Sequence, residues 1–134
     1  MPLVEVALRT DKLLLDTYAF LWWRTNDARL PQAARSAIAD ADVVFVSAAT
    51  AWEAAIKASL GRLELPDTIE SGVEGSGFEK LPITFSHAEA SAKLPPRHCD
   101  PFDRMLIAQA IAENLTLVSH DEKIAQYSID VLWG

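Results

Sequence analysis

Four acidic residues stand where side chains from separate parts of the chain could act together: Asp16, Glu53, Asp103 and Asp121. Two carboxylates about 5 Å apart repel each other by roughly 3 kcal/mol at an effective dielectric constant of about 20. A cluster of such groups therefore either takes up protons or binds a hard divalent cation. Carboxylate oxygens suit Mg²⁺ or Mn²⁺, and because histidine is scarce in this chain, zinc is a poor candidate.

Asp16, Glu53 and Asp121 also have a local structural interpretation, as does the neighbouring Asp100; Asp103 is explained less well in this way. Aspartate caps helix N-termini, typically contributing about 1 kcal/mol, and Asp16, Asp100 and Asp121 all precede predicted helices. Asp100 fits this role well, because a proline in the first helical position follows it. Glu53 lies in mid-helix, where its structural alternative is an ion pair with Lys57, four residues on. Capping and metal binding thus both stay open for Asp16 and Asp121.

Short β-branched or leucine-rich runs alternate with alanine-rich stretches along the chain. Strands are predicted at 12–15, 43–46, 81–84, 116–119 and 129–133. Helices are predicted at 17–25, 31–41, 47–61, 86–94, 101–114 and 121–127, with a helix loosening into a Gly/Ser loop at 63–78. Pro82 in the third strand suggests a sheet edge. Residues 1–134 are predicted to form a single domain, in which 1–10 are an N-terminal extension.

This alternation predicts an α/β fold, a mostly parallel sheet of about five strands with helices on both faces. Ligands of such sheets bind beyond the C-terminal ends of the strands. Asp16 directly follows the first strand, and Asp121 follows the fourth closely. Glu53 lies about two turns into the helix after the second strand, and Asp103 lies in the first turn of its helix. We therefore expect the four carboxylates to converge at one end of the sheet.

The charge and the hydropathy of the chain limit its function. A formal net charge of −7 argues against a protein that grips nucleic acid over its whole surface, so any such contact must be local. No apolar run approaches the roughly 20 residues of a membrane span, and the first ten residues do not resemble a signal peptide. The single cysteine, Cys99, excludes an internal disulfide, and the adjacent His98 is too close to form a spaced zinc-binding pair. We expect a soluble, cytoplasmic protein that is not attached to a membrane.

Four segments of the chain, LLLDTYAFLWW, VSAATAWEAAIK, DPFDRMLIAQA and LVSHDEKI, resemble the four acidic motifs of the PIN-domain ribonucleases. The likeness is greatest to the VapC-type toxins of bacterial type II toxin–antitoxin modules, and it extends from Asp11 to Gly134 in family order and spacing. It implies a PIN-like parallel sheet flanked by helices. It also implies a metal-dependent endoribonuclease that hydrolyses RNA phosphodiester bonds with Mg²⁺ or Mn²⁺ as its cofactor.

The resemblance also implies roles for individual residues. The acidic metal-binding and catalytic residues would be Asp16, Glu53, Asp103 and Asp121. Ser47 and Thr50 match small hydroxyl positions ahead of the second acid, and Ser119 matches the hydroxyl before the fourth. Two features depart from the family pattern: the roughly ten residues ahead of the first strand, and His120, to which no role is assigned.

The mechanism that we expect is in-line attack on phosphorus by a water molecule whose pKa the cation lowers. Asp16, Asp103 and Asp121 would hold one or two metal ions, and Glu53 would complete the metal site or orient the nucleophile. Lys57 or Arg104 could stabilise the charge that gathers on the phosphate oxygens. The alternative for these two cations is a solvated side chain or an ion pair with an acid of the site.

Protein partners are suggested by YAFLWW, residues 18–23, six consecutive bulky apolar residues on one predicted helix. These are too many for one core-facing stripe, unless the helix is wholly enclosed by the core. Trp22 and Trp23 should point to different faces, one inward and one towards an interface. The resemblance to VapC toxins implies a homodimer and a cognate antitoxin that fills a groove near the acids.

Two rival functions come from other classes of protein. A phosphoacceptor receiver domain is also a small parallel α/β protein with clustered acids, but it needs paired acids after its first strand and a lysine after its last. This chain has the single Asp16 and ends in VLWG, so it does not fit. The second rival is a catalytically inactive PIN-like module that binds RNA or an antitoxin without cutting, and only an assay separates it from a nuclease.

Overall fold

A computed structural model describes residues 12–96, 100–121, 124, 127 and 129–133, which contain five strands and six helices. In chain order these elements are β1 (Lys12–Leu15), α1 (Thr17–Arg24), α2 (Gln32–Asp40), β2 (Val43–Ser47), α3 (Ala48–Ser59), α4 (Ile69–Gly75), β3 (Glu79–Leu81), α5 (Phe85–Lys93), α6 (Pro101–Glu113), β4 (Thr116–Val118) and β5 (Val131–Leu132). Within these ranges no helix has both the length and the apolar character needed to cross a membrane.

The strands form one parallel sheet in the order β3-β2-β1-β4-β5. β1 is central, with Leu15 aligned to Val46 of β2 and to Val118 of β4. The strand order therefore reverses at β1, because the chain moves outward to β2 and β3 on one side and to β4 and β5 on the other. In parallel α/β sheets this reversal leaves a crevice beyond the C-terminal ends of the two central strands. The α/β fold predicted from the sequence is confirmed.

Helices cover both faces of the sheet, because both faces are apolar. Leu13 and Leu15 point to one face, where α1, α2 and α4 contribute Phe20, Ile38 and Val73 to the same core cluster. Leu14 points to the opposite face and packs in a second cluster whose helical residues come mainly from α6. Both faces of β1 are thus sealed by side chains, which leaves the strand ends as the place for polar groups.

Side-chain caps fix the starts of the helices at the C-terminal edge of the sheet. Asp16 caps α1 by accepting from the amide of Ala19, and Ser47 caps α3 by accepting from the amide of Ala49. Asp100 caps α6, as predicted, and accepts from the amides of Phe102 and Asp103 at 2.8 and 3.2 Å. For α1 and α3, which directly follow β1 and β2, the cap holds the helix start at the end of its strand.

The third strand differs from its prediction. It spans Glu79–Leu81 rather than 81–84, and α5 begins at Phe85 with Thr84 as its cap. Pro82 has no amide hydrogen and cannot extend the ladder, so the strand ends before it. The sheet-edge position that Pro82 suggested is confirmed, since β3 is the outer neighbour of β2.

Other boundaries also shift. Pro31 lies at the N-cap position of α2, without a side-chain cap hydrogen bond, rather than in its first turn. The irregular stretch at 63–78 contains a regular helix, α4, that begins after its cap Thr68. The last strand is only Val131–Leu132. The N-terminal extension, the residues 97–99 that include His98 and Cys99, and much of the predicted helix at 121–127 lie outside the described residues.

Candidate active site

A cavity of about 500 Å³ opens beyond the C-terminal ends of β1 and β4, where the strand order reverses. Its walls carry the four acids named from the sequence together with further polar side chains. The described residues that line it are Asp16, Thr17, Tyr18, Glu53, Lys57, Asp100, Asp103, His120 and Asp121. The predicted convergence of the acids on one edge of the sheet is therefore present in the fold.

Asp16 lies at the centre of this edge, because it is the first residue after the central strand. Its amide donates to the carbonyl of Val118 at 3.0 Å, which ties it to β4. Its Oδ1 accepts from the amide of Ala19 at 2.7 Å, so the residue also caps α1. The two interpretations left open by the sequence therefore coexist: one oxygen is used as the cap, and the side chain still lines the cavity.

Glu53 is held by a hydroxyl that the sequence analysis did not single out. Thr17 is 4% exposed, and its Oγ1 donates to Oε1 of Glu53 at 2.6 Å. Thr50, one turn before Glu53 on α3, lies 3.3 Å from the same threonine, hydroxyl to hydroxyl. The short hydrogen bond fixes the orientation of the buried carboxylate and replaces the water that would solvate it. The signal available in the sequence was the hydroxyl residue directly after Asp16.

Lys57 brings a positive charge to the wall of the cavity. Its Nζ lies 2.9 Å from Oε2 of Glu53 and 2.9 Å from the hydroxyl of Tyr18, and 4.7 Å from the centre of the tyrosine ring. Burial opposes the charged form, but the contacts with Tyr18 and Glu53 outweigh it and raise the pKa of Lys57. The ammonium is therefore charged at neutral pH. The ion pair foreseen as the local role of Glu53 exists, and it holds Lys57 at the cavity.

Asp103 and Asp121 approach the cavity from two further elements. Asp103 lies in the first turn of α6, and Asp100, besides capping that helix, also lines the cavity. The amide of Asp121 donates to Oγ of Ser119 at 3.2 Å, so the buried serine shapes the turn after β4. Ser119 also hydrogen-bonds Asp16 through its side chain. This hydroxyl thus connects the first acid to the backbone that carries the fourth.

The electrostatics of the cavity are strained. Burial and, as a smaller cause, the negative charge of Asp103 raise the pKa of Asp16 to about 6, against the opposing effects of the Ala19 amide, Ser119 and His120. An aspartate that is 7% exposed and ionised at neutral pH is a favourable ligand for a cation, because a cation replaces the solvation that burial removed.

The oxygen-rich lining fits Mg²⁺ or Mn²⁺, which prefer carboxylate ligands and retain several of their own waters. Among the described residues, no group of three or more His, Cys, Asp or Glu side chains is already arranged so that it could hold a metal ion. A cation held by one or two carboxylates and by waters is compatible with this arrangement, whereas a closed structural zinc site of four protein ligands is not.

Two of the predicted supporting residues have other positions. Ser47 caps α3, and it lines a separate apolar groove between α3, α4 and β3 instead of the acidic cavity. The guanidinium of Arg104 donates to the carbonyls of Ser91, Leu94 and Pro95, at the C-terminal end of α5, at 2.8 to 3.0 Å. Arg104 therefore joins α6 to α5, and its contact with the substrate phosphate stays a prediction.

The residues of α1 divide between two surroundings, as the adjacent tryptophans predicted. Trp23 packs on Phe78 at 5.7 Å between ring centres, whereas Trp22 lies among Tyr18, His120 and Trp133 at 5.6 to 6.1 Å. Both side chains are half-buried. Whether either reaches a partner protein stays a prediction.

Comparison with known proteins identifies the family to which this architecture corresponds. The model of the PIN domain family matches residues 13–130. Ribonuclease VapC22 of Mycobacterium tuberculosis is 31% identical over 118 residues, which make up 86% of this chain and 91% of that relative.

Solved structures show the same fold. VapBC2 from Rickettsia felis, bound to a DNA fragment from its promoter, superposes with a TM-score of 0.68 at 15% identity and covers 92% of this chain and 99% of its own. A toxin–antitoxin complex from Klebsiella pneumoniae has a TM-score of 0.64 at 18% identity, over 90% of this chain and 95% of its own. At these identities the likeness shows the arrangement of strands and helices.

Proposed function

The chain belongs to the PIN domain family, and from that membership we propose that it is a Mg²⁺- or Mn²⁺-dependent endoribonuclease that hydrolyses RNA phosphodiester bonds. The relative that is 31% identical over most of both chains is named a ribonuclease, which supports RNA as the substrate. The proposal treats residues 1–134 as one catalytic domain that acts in the cytoplasm.

The observation that carries the proposal is the meeting of Asp16, Glu53, Asp103 and Asp121 on one cavity. These residues come from four parts of the chain that are far apart in sequence. Burial at this cavity, with the charge of Asp103 as a smaller cause, makes Asp16 harder to ionise, an arrangement that a folded protein tolerates when a ligand compensates for it. Hydrolysis of a phosphodiester is a reaction in which clustered carboxylates and a divalent cation are useful together.

Asp16, Asp103 and Asp121 would hold the cation, directly or through water, with Glu53 close to them. When bound, the cation would supply a nucleophilic water at neutral pH and neutralise charge on the phosphate. The residues of the chain provide the positioning. Ser119 and the Ala19 amide orient Asp16, and Thr17 orients Glu53.

Lys57 is the cation of the chain that we assign to the substrate phosphate. Its ammonium is pre-positioned by Glu53 and Tyr18 on the wall of the cavity, so little reorganisation is needed when charge develops on the phosphate oxygens. The hydroxyl of Thr50 contacts that of Thr17, which in turn donates to Glu53. Glu53 thereby holds Lys57 with one oxygen and accepts the hydrogen bond of Thr17 with the other.

We further propose that the chain is the toxin of a toxin–antitoxin pair, restrained by a cognate antitoxin protein, and that it forms a homodimer. Support comes from the solved structures that share its fold, several of which are described as toxin–antitoxin or VapBC complexes. Co-expression with the gene beside it, followed by affinity purification and measurement of the solution mass, tests both statements.

The decisive experiment is cleavage of labelled cellular RNA by the purified chain with Mg²⁺ or Mn²⁺, with EDTA as the metal-free arm. The Asp103→Asn variant should be inactive. The matched control is Asp40→Asn, which makes the same chemical change at an exposed position at the end of α2. Cleavage that survives EDTA or the Asp103 substitution would refute the proposal.

A non-cutting PIN-like module is the remaining alternative, and one observation favours it: the acids of the described residues are not preassembled into a three-ligand metal geometry. Calorimetric titration with Mn²⁺ and with RNA, together with the cleavage assay, separates the two functions. A chain that binds Mn²⁺ and RNA yet cuts no RNA is a binding module, whereas a nuclease must cut under the same conditions.

A further inference from the structure

Three aromatic side chains gather beside the acidic cavity: Trp22 of α1, His120 after β4 and Trp133 after β5. Their ring centres lie 5.6 Å apart for Trp22 and His120, 5.2 Å for His120 and Trp133, and 6.1 Å for the two tryptophans. We call them the Trp–His cluster. His120 is its exposed member, and the two tryptophans are half-buried.

The sheet brings these rings together. β4 and β5 are parallel neighbours in which Val118 is aligned with Leu132, so the next residues, Ser119 and Trp133, emerge at the same edge. The amide of Ser119 donates to the carbonyl of Leu132 at 3.1 Å, which continues the pairing one residue further. The Trp–His cluster is thus a product of strand register, and it lies where the substrate cavity opens.

The cluster borders the cavity directly, because His120 belongs to both. Tyr18 also lines the acidic cavity, lies 5.8 Å from Trp22 between ring centres, and is 37% exposed. A groove leads from Tyr18 and Trp22 along α1 and past the loop after α3. A strand of RNA whose phosphate entered the cavity would therefore carry its neighbouring bases past aromatic rings.

The charges of the chain favour contacts to bases over contacts to phosphates. The net charge is −7, and five of the cavity-lining side chains are acidic. In the adjoining groove, Arg24 pairs with Asp67 at 2.8 Å and Arg29 pairs with Asp27 at 2.7 Å. The guanidinium of Arg29 also lies 4.8 Å from the centre of the Trp22 ring. Aromatic faces then offer a further means of holding a polyanion, since bases stack on them irrespective of sequence.

We propose that the Trp–His cluster is a nucleobase-stacking surface that holds a base of single-stranded RNA next to the acidic cavity, with His120 as the ring that the base contacts. The inference rests on the proposed RNA substrate and adds the residues that position it. His120 is a positioning residue here, because it contacts a base and takes no part in the hydrolytic step.

The test compares a short labelled oligouridylate with an abasic oligomer of equal length, which keeps every phosphate and lacks every base. Binding of both to the Asp103→Asn chain is measured by fluorescence anisotropy in Mg²⁺ buffer at neutral pH. In a His120→Ala background, the preference for the oligomer with bases should fall by about tenfold. His120→Phe, which keeps an aromatic ring and has no ionisable group, should preserve the preference. His120→Lys, which has a positive charge and no ring, should lose it as alanine does.

Phe85→Ala is the matched control, since it removes an aromatic side chain that is 91% exposed and does not line the cavity. It should leave the preference unchanged. The inference is overturned if His120→Ala leaves the preference intact, if the phenylalanine variant loses it equally, or if neither oligomer binds. Base-dependent binding without cleavage by the unmodified chain would refute the nuclease proposal while the stacking surface stands. Cleavage by the unmodified chain, together with a base preference that His120→Ala leaves unaltered, would refute the stacking surface while the nuclease proposal stands.

Discussion

The hydroxyl of Thr17 donates to Oε1 of Glu53 at 2.6 Å, and the other carboxylate oxygen of Glu53 lies 2.9 Å from Lys57. Thr17 begins the helix after β1, and Glu53 lies in the middle of the helix after β2. Because β1 and β2 are adjacent, this hydrogen bond joins the two helices at the point where both meet the acidic cavity. The orientation of Glu53, on the helix after β2, is therefore set by a residue on the helix after β1.

Replacing Thr17 with valine keeps the shape of the side chain and removes the donor. Glu53 would keep its ion pair but lose a charge-assisted hydrogen bond, so the free energy of unfolding should fall by about 1.5 to 3 kcal/mol. Urea denaturation followed by circular dichroism measures this change. Thr17→Ser retains the hydroxyl and should lose much less; equal losses in both variants would show that packing, and not the hydrogen bond, matters at this position.

The raised pKa of Asp16 predicts the direction in which the stability of the folded chain changes with pH. Because the folded chain binds the Asp16 proton with a pKa of about 6 against an ordinary value of 3.8, the folded state holds more protons than the unfolded state between these values. This contribution to stability is present at low pH and is lost as pH rises through about 6. At pH above 7 the ionised carboxylate costs on the order of 3 kcal/mol.

Asp16→Asn removes that cost and keeps the helix cap, since asparagine caps as well as aspartate does. In EDTA, the variant should unfold at higher urea concentration than the wild type at pH above 7, and the difference should shrink as the pH falls towards 4. Denaturation at a series of pH values provides the test. A variant that is less stable than the wild type at every pH would contradict the strain attributed to this carboxylate.

Divalent cations should stabilise the wild-type chain through the same acids. A ligand that binds only the folded state at about one hundred times its dissociation constant adds about 2.7 kcal/mol to the free energy of unfolding. Thermal unfolding with and without Mn²⁺ should show a rise in Tm for the wild type and a smaller rise for Asp103→Asn. Asp40→Asn should respond as the wild type does, and EDTA should reverse the effect. Equal shifts in all three chains would place the cation elsewhere.

Lys57→Gln should reduce RNA cleavage with little effect on folding. The substitution removes the ammonium that Tyr18 and Glu53 hold on the cavity wall, and loss of one preorganised charge-stabilising group typically costs about 10² in kcat. Steady-state cleavage kinetics give the measurement. Tyr18→Phe removes one anchor of the ammonium and keeps the ring, so it should show a smaller loss. Unchanged kcat in Lys57→Gln would assign the lysine to the fold.

Arg104→Lys should weaken the contact between α5 and α6. The guanidinium reaches three carbonyls, which a single ammonium cannot do in the same geometry, so the free energy of unfolding should fall by about 1 to 3 kcal/mol. Urea denaturation checks this expectation. A stable variant whose cleavage is nonetheless impaired would return Arg104 to the group of phosphate-binding residues.

Much of the candidate site was predictable because it depends on local rules. Asp16 and Asp121 follow strands, and Asp103 opens a helix, so their common edge follows from the topology of parallel sheets. Asp100 was recognisable as a cap from the proline after it. Thr17, Tyr18 and His120 were not recognised as parts of the cavity, because burial and contact between distant elements are not visible in spacing along the chain.

The sequence by itself determined the alternation of strands and helices, the caps at the helix starts and the four acids at strand ends, because these depend on hydrophobic periodicity and on neighbours a few residues apart. Only the tertiary structure decided which groups meet. It placed Thr17 against Glu53, turned Lys57 towards the cavity and Arg104 towards α5, and aligned β4 with β5 so that His120 joins Trp133. The physical reason is that strand order and register set distances between residues far apart in the chain, and those distances determine which charges and rings interact.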